Sequence, residues 1–129
     1  MNPMKKVEYS FYRLEVWKLG MNLVNEVYSL TKKFPSEEKF CLTAQIRRAA
    51  TSIPLNIAEG SIKRTKKDFA SFVRIALGSL METMTCIEIA LNQKYIDQLE
   101  YEKIQPLIQE LYFKLIALDK FLTGKSSNQ

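Results

Sequence analysis

Apolar residues recur at 3-4 spacing through four segments of this 129-residue chain, and only four glycines and four prolines interrupt them. A period near 3.6 puts each apolar row on one helical face and leaves no room for the alternation of a half-buried strand. The length suits one domain able to bury a core of its own. The sequence therefore predicts an all-α protein. Four helices with short connections imply an up-down-up-down four-helix bundle. Its ordered core should span about 11–123, with loose ends on either side.

The first segment runs from about Leu14 to Lys33 and stops at Phe34-Pro35, because proline excludes its predecessor from the helical region. Leu14, Trp17, Met21, Val24 and Tyr28 form one stripe; Val16, Gly20, Leu23, Val27 and Leu30 form a second. Together they cover roughly half the helix circumference, more than a small bundle needs from one member. The extra stripe is read as a subunit interface; the alternative is that it covers a neighbouring helix.

The second segment, about Ser36 to Ile62, has Ser36 as its expected N-cap, with Glu37 and Glu38 at the positive end of the helix dipole. Phe40, Leu42, Ile46, Ala49, Ala50, Ile53 and Ile57 make its expected inner face. Pro54 should kink it, and Gly60 should end or bend it. Thr65 with Asp68 opens the third segment, whose core row is Phe69, Phe72, Val73, Ala76, Leu80, Met84, Ile87 and Leu91. Gly78, beside Ala76 and Ser79, is expected where two helix backbones approach closely. Asp97 with Glu100 reads as a capping box opening the last helix, which carries Ile104, Ile108, Leu111, Leu115, Leu118 and Leu122. Pro106 either kinks that helix or separates a short first turn from it.

Histidine is absent. That removes Ser-His-Asp and Cys-His nucleophilic machinery and histidine-based zinc or di-iron sites. Cys41 and Cys86 lack a metal-binding spacing and are expected to be buried, reduced thiols. No acidic cluster suited to magnesium stands out. The expectation is a protein with no catalytic residues, no metal and no cofactor. No uncharged run approaches the ~20 residues of a membrane span. The start of the chain lacks the apolar core of a signal peptide. A cytoplasmic protein with no membrane partner is the expected class.

Charge is unevenly spread. From Lys39 to Arg74 eight basic residues face only Glu59 and Asp68, whereas the rest of the chain is close to neutral. Such clustering suits phosphate neutralisation, and Arg47, Arg48, Lys63, Arg64, Lys66, Lys67 and Arg74 are the candidate nucleic-acid contacts. A solvated helix–helix turn is the simpler alternative. Phe69 and Phe72 lie nearby, but their spacing assigns them to the core rather than to base stacking. Tyr9, Phe11 and Tyr12 are expected across one bundle end. Within Ser52–Gly60 the polar residues are read as structural. Ser52 or Asn56 should satisfy backbone groups freed by Pro54, and Glu59 should pair with Arg47, Arg48 or Arg64.

Several of these segments also carry a resemblance. LEVWKLG at Leu14–Gly20, FP at Phe34-Pro35, QIRRA at Gln45–Ala49, SIPLNIAEG at Ser52–Gly60 and IALGSLMET at Ile75–Thr83 are its motifs. Through them the chain, from about Phe11 to Leu122, resembles the small bacterial proteins labelled 23S ribosomal RNA intervening-sequence proteins. That resemblance implies a four-helix bundle and, for some members, a five-membered ring. The family is similar in turn to the accessory protein of diversity-generating retroelements, a basic pentamer that partners a reverse transcriptase and binds nucleic acid. The reading for this chain is a non-enzymatic homo-oligomer, with five copies the best single number. It would bind RNA or DNA through a basic surface with little sequence preference. The alternative is a protein-interaction scaffold, or an accessory subunit that docks an acidic partner such as a reverse transcriptase.

Overall fold

In the computed structural model, which describes residues 6–125, four α-helices follow two short 3-10 turns. The turns are Ser10–Arg13 and Ser36–Glu38; the helices are α1 (Glu15–Thr31), α2 (Leu42–Ser61), α3 (Lys66–Asn92) and α4 (Gln98–Thr123). No strand occurs among the described residues.

Named contacts establish the topology. Gly20 meets Ile53 and Pro54, while Thr31 meets Arg47, so α1 and α2 are antiparallel. Ser52 bonds Ser79 and Gly60 abuts Phe69 and Phe72, so α2 and α3 are antiparallel. Arg74 lies against Asp119 and Tyr101 bonds Glu88, which sets α3 against α4 in the same sense. Lys114–Glu15 and Lys33–Glu100 close the bundle between α4 and α1. The up-down-up-down bundle is the arrangement these pairs define. At its centre Leu23, Ile46, Ile53, Ile57, Leu80, Ile87, Leu111 and Leu115 are wholly buried.

Helix ends follow local chemistry. Asp97 Oδ1 accepts the Glu100 N–H at 2.8 Å, and Glu100 Oε1 accepts the Asp97 N–H at 3.0 Å, completing the capping box. Thr65 Oγ1 accepts the Asp68 N–H at 3.1 Å. Gly124 ends α4 in the left-handed region at φ 71°, where a side chain would be strained. Pro106 interrupts nothing: α4 is continuous from Gln98 to Thr123. α2 likewise continues through Pro54, which fits a bend rather than a break.

The start of α2 differs from the sequence expectation. Ser36 makes no side-chain cap; it opens a 3-10 turn, and Cys41 (φ −118°, ψ −104°) separates that turn from the helix. Glu38 is the capping group instead, its Oε1 accepting the Leu42 N–H at 3.1 Å. Phe40 therefore lies outside the helical register and is 85% exposed rather than in the core. Cys41 is exposed for the same reason, and only Cys86 is a buried thiol.

The small residues also change roles. Gly60 lies one residue before the end of α2, its carbonyl accepting the Lys63 N–H, and it also permits a close approach: a Cβ there would sit 2.6 Å from Phe72 Cβ and 2.9 Å from Phe69 Cδ1. Gly20 likewise seats α1 on Ile53 and Pro54. Gly78, expected at a close approach, is exposed and would offer its Cβ open space. Of the two α1 stripes, Val16, Gly20, Leu23 and Val27 are buried, and Trp17, Met21, Val24 and Tyr28 stay partly open. α3 has the length and apolarity of a membrane-crossing helix, yet its apolar row packs into this bundle.

These glycines should respond oppositely to alanine. Gly60→Ala forces backbone-proximal atoms apart and should destabilise by about 1–3 kcal/mol. Gly78→Ala meets nothing and should stabilise by about 1 kcal/mol through helix propensity. Urea midpoints measured on both variants check the pair; a Gly60→Ala protein as stable as its parent would contradict the packing described.

Candidate nucleic-acid interface

The seven basic candidates do not form one face. Lys63 and Arg64 sit in the turn between α2 and α3, and Lys66 and Lys67 open α3; all four are exposed. None of the four makes an ion pair among the described residues. Arg47 and Arg48 lie about 20 Å back along α2 from its end at Ser61, at 1.5 Å per residue. Arg47 has a structural task. Its Nε donates to Thr31 Oγ1 at 2.9 Å, and its guanidinium lies 4.5 Å from the Tyr28 ring centroid. Arg74 Nε is 3.1 Å from Asp119 Oδ1, an ion pair at an angle that is not a hydrogen bond's, and Asp119 Oδ1 has no other partner. Its charge is thus locally offset. The candidate site contracts to Lys63, Arg64, Lys66 and Lys67.

Topology adds residues that sequence distance conceals. The antiparallel bundle brings the C-terminal turn of α4 beside the start of α3, and Lys66 Nζ lies 5.2 Å from the Phe121 ring centroid. Lys120, in the last turn of α4, and Lys125 just beyond it therefore belong to the same bundle end. The only linear clue to this juncture was the basic flanking of Phe121.

Helix poles of both signs meet at this end. Thr65 caps α3, so the positive pole of that 27-residue helix points at the same end. Lysines at a helix N-terminus oppose the dipole rather than complement it. Lys66 and Lys67 thus add charge beside that pole, while the C-terminal poles of α2 and α4 at the same end oppose it, so the excess of positive charge there comes from the side chains.

The polar positions of α2 make local bonds, but not to the Ala50 carbonyl, one turn back, that Pro54 frees. Asn56 Nδ2 donates to Ser52 O at 2.8 Å and to Ser52 Oγ at 2.9 Å. Ser52 Oγ shares a 2.8 Å hydrogen bond with Ser79 Oγ across to α3. Glu59 is exposed and has no ion-pair partner among the described residues, so the expected pairing with Arg47, Arg48 or Arg64 is not made. Burial first, and Glu82 second, push the Cys86 thiol above its usual range, which keeps it protonated and poorly nucleophilic.

An apolar groove runs between α1 and α2, with a volume of about 440 Å³. Trp17, Met21 and Val24 line one side, Pro54 and Leu55 the other, and Phe11 one end. The half-open stripe of α1 faces this groove. Tyr9, Phe11, Tyr12 and Trp17 pack together beside it, with Phe11 and Trp17 centroids 5.2 Å apart.

The fold and its charge define a four-helix bundle with one cationic end. The chain belongs to the 23S rRNA-intervening sequence protein family, whose model matches residues 12–117. A similar solved structure is that of a protein of unknown function from the S23 ribosomal protein family of Bacteroides thetaiotaomicron VPI-5482. It is 30% identical, with a TM-score of 0.75, and the match covers 81% of this chain and 98% of that one. Nothing among curated proteins matches the chain.

The division between structural and free arginines is measurable. Arg47→Gln should lose a hydrogen bond and a cation–π interaction, costing about 1–2 kcal/mol. Arg48→Gln, on an exposed position, should fall within about 0.5 kcal/mol of the parent. Chemical denaturation of both variants tests this; equal stabilities would remove the structural role given to Arg47.

Proposed function

We propose that this protein is a non-enzymatic, cytoplasmic, homo-oligomeric bundle that binds nucleic acid, RNA in the first instance, through its basic end. The observation that carries the reading is the group Lys63, Arg64, Lys66 and Lys67: four exposed cations in five positions, free of ion pairs among the described residues. Phosphate contacts of this kind release counterions and carry no base code, so binding should be salt-dependent and nearly indifferent to sequence. A homo-oligomer would repeat the basic end around its axis and multiply weak contacts. The open apolar groove beside Trp17 and Met21 supports self-association, and five copies is the number that the family resemblance implies.

Fluorescence anisotropy at several salt concentrations, on two unrelated RNA sequences and on DNA, tests the binding. Lys63, Arg64, Lys66 and Lys67 changed together to Gln should weaken all of them alike. Removing one phosphate contact should flatten the slope of log affinity against log salt by about 0.7–0.9. Absence of binding by the parent at low salt would overturn this reading in favour of an acidic protein partner. Binding that survives the fourfold change with its slope intact would place the site elsewhere. Self-association has its own check. Light scattering at micromolar concentration should give a multiple of the 15.0 kDa chain, and Met21→Glu in the groove should reduce it. A monomeric parent would refute the oligomer.

A further inference from the structure

We propose that the basic end takes single-stranded nucleic acid, with one base stacked on Phe121; this rests on the nucleic-acid reading above and specifies its ligand. Phe121 lies in the last turn of α4 and is 69% exposed, an open aromatic face beside the cation group. Lys66 Nζ sits 5.2 Å from its ring centroid, reaching across from α3. Lys120 precedes it in sequence. Lys125 is held back against the helix end, its N–H donating to the Lys120 carbonyl at 3.0 Å beyond the left-handed Gly124. Ile62, 73% exposed, supplies a second apolar surface next to Lys63.

Single strands need both elements in one place: cations for the phosphates and an aromatic face for an unpaired base. A duplex, whose bases are already stacked on one another, can use only the cations. Exposure alone does not select Phe121. Phe113 is 67% exposed and Phe40 is 85% exposed. Phe113, however, has beside it Lys114, which is paired with Glu15 and Glu110. Phe40 has one lysine, Lys39 at 5.4 Å, and follows Glu37 and Glu38 at the opposite end of the bundle. Asp119, near Phe121, is itself set against Arg74. Of these three exposed phenylalanines, Phe121 is the one that has a lysine from another helix, Lys66, over its ring and a second, Lys120, next to it in sequence. The base would take the ring face that Lys66 now covers. The released ammonium remains within side-chain reach of the adjoining phosphate. The stacked phenylalanine gives no hydrogen-bond readout, so the preference is for strandedness rather than sequence.

The test compares fluorescein-labelled single-stranded RNA, single-stranded DNA of the same sequence, and the RNA duplex, against the parent protein, Phe121→Ala, Phe121→Tyr and Phe113→Ala. Phe121→Ala should weaken single-strand binding by about 5- to 150-fold, the range for losing one stacked base. Its salt slope and its duplex affinity should not change. Phe121→Tyr should retain single-strand affinity, and Phe113→Ala should match the parent. Similar losses on RNA and DNA would place recognition in the base and phosphate; a loss on RNA alone would add the sugar to a stacking interaction that still stands. If the parent binds single strands and Phe121→Ala binds them equally well, stacking on Phe121 is wrong while the basic end stands. If the parent binds duplex more tightly than either single strand, the strand preference is wrong. If the parent binds no nucleic acid, both readings fall together. Circular dichroism of Phe121→Ala separates the loss of stacking from a loss of fold.

Discussion

The close approach of α2 to α3 is the constraint on which the rest depends. Gly60 has no side chain, and the rings of Phe69 and Phe72 occupy the space one would fill. Two turns further along, Ser52 and Ser79 bridge the same pair of helices, and Gln45 with Glu82 joins them beyond that. These contacts draw the end of α2 against the start of α3. The connection between Ser61 and Lys66 can then be only four residues long, and two of them are Lys63 and Arg64. A steric requirement in the bundle thereby concentrates charge at one tip.

Concentrating like charges at a helix start opposes stability, because the dipole there favours acids. The bundle contains the repulsion by keeping the cations exposed, where water and salt screen them. It further lays two of them over aromatic rings: Lys66 over Phe121 and, at 5.0 Å, Lys63 over Phe72. At the opposite end the acids are engaged in local bonds. Glu38 caps α2 and accepts the Tyr95 hydroxyl at 2.7 Å, while Glu100 closes the capping box of α4 and pairs with Lys33. Acids at that end cap helices and accept hydrogen bonds, whereas Lys63, Arg64, Lys66 and Lys67 make no ion pair among the described residues.

Much of this was legible in the linear chain. The rows Ile46, Ala50, Ile53, Ile57 and Ile104, Ile108, Leu111, Leu115 are buried as their 3-4 spacing requires. The Asp97–Glu100 box formed because both partners lie within four residues of each other. Errors fell where spacing could not distinguish two outcomes. Phe40 fits the helical row of α2, but Glu38 caps the helix two residues later. Gly60 and Gly78 look alike in sequence, yet only Gly60 faces a neighbouring backbone-proximal side chain.

By itself, therefore, the sequence determined the four helices, the caps of the last two and most of the core rows, since these rest on residues a few positions apart; the start of α2, with Ser36 and Phe40, was the exception. It also determined the excess of positive charge around the second helix junction. Only the tertiary structure decided which of those charges act together. Arg47 was withdrawn to Thr31 and Tyr28, Arg74 was set against Asp119, and Phe121 was carried from the far end of the chain to Lys66. Side-chain neighbours across an antiparallel bundle depend on how helices seat on one another. That seating is set by contacts such as Gly60 on Phe72, which join positions whose relation no local periodicity encodes.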